Sequence, residues 1–198
     1  MKPDPAPDPA PLDALTDLDV DVLVSDEMWA RHCADPAALC RRTARAGFET
    51  ALADGVELSG SRVEVSIVLS DDDRVHALNR DYRGIDRATN VLSFTALEGE
   101  NGSHLPADAP MLLGDIIVAF ETVSGEAKQE SKTLEAHLAH MVVHGMLHLM
   151  GYDHETDSDA DEMETMEIKV LADLGVADPY AGHGRPPMST RDVKGRAQ

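Results

Sequence analysis

Hydrophobic and polar residues alternate over residues 18–24 as Leu-Asp-Val-Asp-Val-Leu-Val, a period of two that predicts a β-strand with one buried face. A second alternation over residues 62–69 sets Val63, Val65, Ile67 and Leu69 on one side of a second strand. Between the two the period lengthens. Asp35-Pro36 is an N-cap with proline at the first helical position, and Cys40, Ala44, Phe48 and Leu52 then recur every four residues to about Ala53, with Gly55 just beyond. Ser70-Asp71-Asp72-Asp73 opens a short helix carrying Val75 and Leu78, its aspartates complementing the helix dipole rather than binding metal. Residues 90–94 and 111–119 predict third and fourth strands. The polar, Gly- and Pro-containing stretch 98–110 between them predicts a mobile loop, in which His104 is an exposed loop histidine.

The second half turns helical. Residues 121–130 predict a short helix, and Thr133 caps a long one that carries His137, His140, His144 and His148. Thr156 or Ser158 begins a last helix whose stripe, Met163, Met166, Val170, Leu171 and Leu174, has helical spacing and reads as core; Gly175 ends it. With strands early, helices mostly late and two β–α units at the start, the pattern predicts an α+β fold. Its mixed four-stranded sheet packs against helices and is not doubly wound.

Length and composition add boundaries. The chain of 198 residues suits one domain over residues 18–180, between a Pro- and Asp-rich leader (1–17) and a polar, mildly basic tail (181–198), both expected to be disordered. No apolar run approaches a membrane span and no apolar signal region opens the chain, so it is expected to stay in the cytoplasm, with no membrane partner. Cys33 and Cys40 fit a reducing compartment as buried free thiols. A net charge of −20 argues against a broad nucleic-acid footprint and against DNA as a partner. The distribution is uneven, however. Residues 31–87 hold nine of the 17 basic residues, with Arg80, Arg83 and Arg87 close together, so a polyanion would dock there with a strong salt dependence. Arg41, Arg42 and Arg45 read as a solvated helix face.

The chemistry is concentrated at residues 144–154, His-Gly-Met-Leu-His-Leu-Met-Gly-Tyr-Asp-His. His144 and His148, four apart, project from one face of a helix, and Gly151 lets the chain turn and bring His154 back toward them. Three neutral imidazoles with one position left for water form the catalytic rather than the structural pattern for zinc. Metzincin proteases share the spacing but need a glutamate after the first histidine as general base, and this chain has Gly145 there. A peptidase would need its base from elsewhere.

A second stretch, 78–86 (Leu-Asn-Arg-Asp-Tyr-Arg-Gly-Ile-Asp), is followed by Thr-Asn-Val-Leu-Ser-Phe at 89–94, by Leu-Gly-Asp-Ile at 113–116 and by Glu-Ala-His at 135–137. With the histidine segment, these motifs resemble the YbeY family of bacterial endoribonucleases, the rRNA maturation factors, over roughly residues 63–180. The resemblance implies a zincin-like fold, one zinc ion held by His144, His148 and His154, and cleavage of single-stranded RNA. It also implies a role in processing the 3′ end of small-subunit (16S) ribosomal RNA and in ribosome quality control, with the ribosome or a ribosomal protein as partner. Ala88 and Thr95 stand where the family often has proline.

Zinc on three histidines lowers the pKa of a bound water from about 15.7 to about 7. Arg83 is the expected phosphate clamp, since guanidinium presents a planar donor fork to phosphate oxygens; the alternative is a structural arginine tying its loop down. Asp115 and Asp153 are candidates to orient a ligand imidazole, and His140, one turn before His144, is expected to pack or support from behind. Ser93 either lines the RNA groove or packs in its strand. Attack by water and attack by the RNA's own 2′-hydroxyl both remain open. Imidazole ligands also accept nickel, copper or iron. The acidic surface leaves a non-catalytic, zinc-stabilised ribosome-assembly factor as the competing reading.

Overall fold

The structure, a computed structural model, describes residues 17–58, 62–96 and 109–181. The expected leader (all but Asp17), the tail (all but Ala181) and the loop residues 98–108, His104 among them, lie outside the described residues. In chain order the elements are β1 (Asp17–Val24), α1 (Glu27–His32), α2 (Pro36–Ala53), β2 (Arg62–Ser70) and α3 (Asp72–Arg83), then β3 (Val91–Thr95), β4 (Met111–Ala119), α4 (Phe120–Gln129), α5 (Leu134–Leu149) and α6 (Asp157–Asp173). No helix among the described residues is long and apolar enough to cross a membrane.

The four strands form one mixed sheet in the order β1-β2-β4-β3. β1, β2 and β4 run parallel, and β3 pairs antiparallel with β4 at the edge. Strand alternation divides the core. Val63, Val65, Ile67, Leu69, Ile116 and Val118 pack toward α2 and α5 in the main cluster, whereas Leu92, Ile117 and Ala119 meet Val75 of α3 in a small second one. α5 is buried almost all round, as its apolar composition requires of a central helix; His144 and His148 are its half-exposed histidines.

The caps form as their sequences dictate: the side chains of Asp35, Asp71, Thr133 and Thr156 each accept a backbone N–H from the first turn of their helix. Asp72 goes further and ties α3 to α4, accepting from Thr122 N and Oγ1 at 3.0 and 2.8 Å. Arg41, Arg42 and Arg45 are exposed, as a solvated helix face requires, and Arg45 and Arg41 also donate to the carbonyls of Leu18 and Val20, at 2.7 and 3.4 Å. Among the described residues β1 is an edge strand, and guanidinium groups meet two of its outward carbonyls.

Cys33 and Cys40 are buried free thiols. Burial, then repulsion from Cys33, pushes the Cys40 thiol up to about 12. Cys40 is therefore expected to resist iodoacetamide at neutral pH in the native protein and to react once the chain is unfolded; mass spectrometry after native and denaturing labelling checks this.

Candidate metal centre

The site is built by the end of α5. His144 and His148 stand one turn apart, and the helix closes in a Schellman turn: Gly151 N donates to His148 O at 3.1 Å and Tyr152 N to Leu147 O at 3.0 Å. Gly151 takes φ 95°, a conformation that disfavours any side chain, which is why glycine stands at this point. The turn brings His154 back, and one ring nitrogen from each of His144, His148 and His154 lies within 4.8 Å of the others. His154 is exposed and the other two are half-buried, so the cluster opens to solvent on one side.

The second nitrogens decide what the first can do. His144 donates its Nδ1–H to Glu167 Oε1 at 2.7 Å, and His148 donates its Nδ1–H to the Tyr152 carbonyl at 3.0 Å. Both acceptors lack a proton to give, so each imidazole carries its hydrogen on Nδ1 and presents a bare Nε2. These two Nε2 atoms face each other at 3.1 Å. Two lone pairs at that separation repel unless a cation or proton sits between them. Nitrogens about 2.0–2.1 Å from a tetrahedral zinc would themselves be about 3.3 Å apart. Burial, with repulsion from His144 and His154, lowers His148 to about 4, which keeps it neutral and available as a ligand near pH 7. The residues fit a divalent metal.

Glu167, on α6, is the residue that sequence reading missed. It is 1% exposed and takes three partners: His144, His140 Nε2 at 3.1 Å, and the Tyr180 hydroxyl. Burial alone would raise its carboxyl; the hydrogen bonds from His140 and His144 outweigh that and hold it at about 2, so it is ionised. Glu167 thus links His140 to His144, and the Tyr180 ring packs edge-on against His140, with centroids 5.6 Å apart.

The other candidates are placed as follows. Asp153 accepts the backbone N–H of His154 at 2.7 Å and shapes the turn. Asp115 does not perform the imidazole-orienting role expected of it. It is exposed, and strand alternation puts it on the face of β4 opposite Ile116, which packs toward α5. Glu167 and the Tyr152 carbonyl orient the imidazoles of His144 and His148 instead. A Cβ at Gly145 would lie 2.9 Å from Ile116 Cγ2 and 3.1 Å from Ser93 Oγ. Position 145 therefore faces the sheet, and the packing that seats the ligand helix leaves no space for a glutamate there. Ser93 accordingly packs under α5. Its carbonyl accepts from Arg83 Nη2 at 3.1 Å, which holds the exposed Arg83 at the free edge of β3, beside the strand residue that touches the ligand helix. This contact ties the arginine to a backbone carbonyl and leaves most of its donors to solvent.

Comparison with known proteins places the chain in the endoribonuclease YbeY family. Residues 37–175 match the family model described as Endoribonuclease YbeY. A protein of that name from Bradyrhizobium diazoefficiens is 47% identical over 161 residues, 81% of this chain and 84% of the relative. Another, from Paramagnetospirillum magneticum, is 51% identical over 153 residues, 77% of this chain and 89% of the relative. The solution structure of TM1509 from Thermotoga maritima matches with a TM-score of 0.49 at 23% identity, covering 84% of this chain and 99% of its own.

Proposed function

Because the chain belongs to the endoribonuclease YbeY family, we propose that it cuts single-stranded RNA with one zinc ion held by His144, His148 and His154. We read its task as maturation of the 3′ end of 16S ribosomal RNA together with ribosome quality control, carried out in the cytoplasm in contact with the ribosome or a ribosomal protein. Residues 18–180 act as one domain, and the fold is read as zincin-like: a central helix presents two ligands beneath a mixed sheet with an antiparallel edge strand.

One observation carries the reading. Two bare Nε2 atoms meet at 3.1 Å with a third histidine beside them, and their Nδ1–H groups are already committed to fixed acceptors. When bound, the ion supplies positive charge to the phosphoryl group and acidifies a coordinated water. The chain's own residues do the rest. Glu167 and the Tyr152 carbonyl keep the ligand rings in one tautomer and one orientation. Arg83, anchored through one N–H, offers its remaining donors to the phosphate and to charge that builds there during cleavage. No carboxylate stands at position 145 to abstract a proton as in the proteases, which weighs against peptide hydrolysis.

Cleavage of a single-stranded RNA carrying the small-subunit 3′ end tests the proposal. Arg83→Ala is expected to stay folded and lose about a hundredfold in rate, and a chelator to abolish cutting, with zinc restoring it. Equal rates with and without Arg83 would remove it from the site. A wild-type protein that cuts no RNA, yet unfolds when its metal is withdrawn, would favour the non-catalytic assembly factor.

A further inference from the structure

On the sheet face away from α5 lies a groove of about 400 Å³ that the metal centre does not use. Val68, Leu78 and Ile117 form its apolar floor, and Phe94, Tyr82 and Asp115 line it further. Tyr82 is 72% exposed, and its ring meets Phe94 edge-on at 5.4 Å. A tyrosine this exposed, braced by a second ring, offers a flat apolar surface that folding alone does not require. Its position is what matters. Ser93 and Phe94 are consecutive residues of β3; Arg83 hydrogen-bonds the first and Tyr82 packs on the second. Guanidinium and ring therefore stand side by side along one stretch of the strand edge, the pairing of phosphate donor and stacking platform that single-stranded nucleic acid uses.

We propose that this groove is a subsite for one unpaired nucleobase of the RNA, stacked on Tyr82 against Phe94, with Asp115 accepting from the N–H edge of the base. The inference rests on the RNA-cleaving reading above and adds how the strand is held. Charge complementarity supports a nucleotide, with a cation for its phosphate and an acceptor for its base: Arg74 lines the groove together with Asp115, and Arg83 is bonded to Ser93, the neighbour of the lining residue Phe94, in the part of the chain that holds most of the basic residues. The carboxylate of Asp115 can only accept. Guanine offers two adjacent donors on its Watson–Crick edge, matching the two carboxylate oxygens, so it is the base that the groove favours. A double helix keeps its bases stacked and paired and cannot fill the groove, which makes the subsite a source of single-strand preference.

The test is equilibrium binding, by fluorescence anisotropy, of a short single-stranded RNA protected from cleavage by 2′-O-methyl and phosphorothioate groups. The full chain is compared with its Tyr82→Ala, Tyr82→Trp and Asp115→Asn variants. Tyr82→Ala is expected to weaken binding about tenfold, and Tyr82→Trp to retain it. All variants should bind a base-free sugar–phosphate strand of equal length alike. Asp115→Asn should weaken a guanine-bearing strand several-fold more than a uracil-bearing one. Unchanged binding by Tyr82→Ala, or an equal loss on the base-free strand, overturns the subsite while the nuclease reading stands if wild type cuts unmodified RNA. Equal binding of guanine and uracil strands before and after Asp115→Asn overturns the role of that aspartate. Wild type that neither binds nor cuts single-stranded RNA overturns both readings.

Discussion

Glu167→Ala is expected to cost about 3 kcal/mol of stability and to weaken metal binding, although residue 167 is not itself a ligand. The carboxylate is buried and ionised, and it satisfies His140, His144 and the Tyr180 hydroxyl together. Alanine would leave all three polar groups facing a void, and each unsatisfied buried group costs about 1–3 kcal/mol. His144 would also lose the acceptor that fixes its proton on Nδ1. Glu167→Gln separates the two effects. The amide keeps the volume; its oxygen can accept from His144, and its NH₂ can donate to His140 if that ring changes tautomer. The proton moved to the buried His140 Nδ1 would have no acceptor there, and the bonds to a charged oxygen are weakened, so stability should fall, but by less than in Glu167→Ala. A neutral amide makes His144 a poorer electron donor, so zinc affinity should still fall about tenfold or more. Thermal unfolding and chelator competition read the two quantities independently. Equal zinc affinity in wild type and Glu167→Gln would reduce the carboxylate to a packing role.

Glu167 also marks how far the sequence could be read. The last helix was legible because Met163, Met166, Val170 and Leu171 repeat at helical spacing, and all four are buried. Residue 167 lies four after Met163 and three before Val170, inside that stripe. A carboxylate on the buried face of a helix needs a partner, and that was the available signal. The three histidines were legible because a helix turn, a glycine turn and the return of the chain are all local. Asp115 was misread because its facing depends on strand alternation past a register shift beside Gly114, where β4 carries an extra residue against β2. The contacts of Arg41 and Arg45 with β1 depend on that strand being at an edge, and strand order is not written in periodicity. Helix α1 went unseen for a simpler reason. Its six residues are too few for a helical period to emerge, although Asp26 caps it and Trp29 is wholly buried, donating to Ser70 O at 2.9 Å.

The glycine at that register shift carries the second large prediction. Gly114→Ala is expected to destabilise the protein by at least about 3 kcal/mol and to abolish RNA cleavage, though residue 114 bears no functional group. Gly114 adopts φ +142°, and a Cβ there would lie 2.0 Å from the carbonyl oxygen of Phe94 and 3.0 Å from Leu149 Cδ2. The first of these is backbone and cannot rotate away. It belongs to the strand that pairs with β4, Phe94 opposite Asp115 and Thr95 opposite Gly114. The added methyl group therefore has to push β3 off β4. β3 is what the site rests on at this edge: Ser93 holds Arg83 and packs under Gly145, and Phe94 braces Tyr82. Displacing the strand would loosen the arginine and the aromatic pair at once, while leaving His144 and His148 on their helix and His154 on the turn that follows it. Metal binding should therefore survive better than cleavage does. Gly125→Ala is the control. Position 125 lies inside α4 at a negative φ, a Cβ there would meet nothing within 4 Å, and alanine should stabilise that helix by about 0.5–1 kcal/mol. Thermal midpoints of the two variants should move in opposite directions. A Gly114→Ala protein with a wild-type midpoint and full activity would mean that β3 and β4 do not pair in this register.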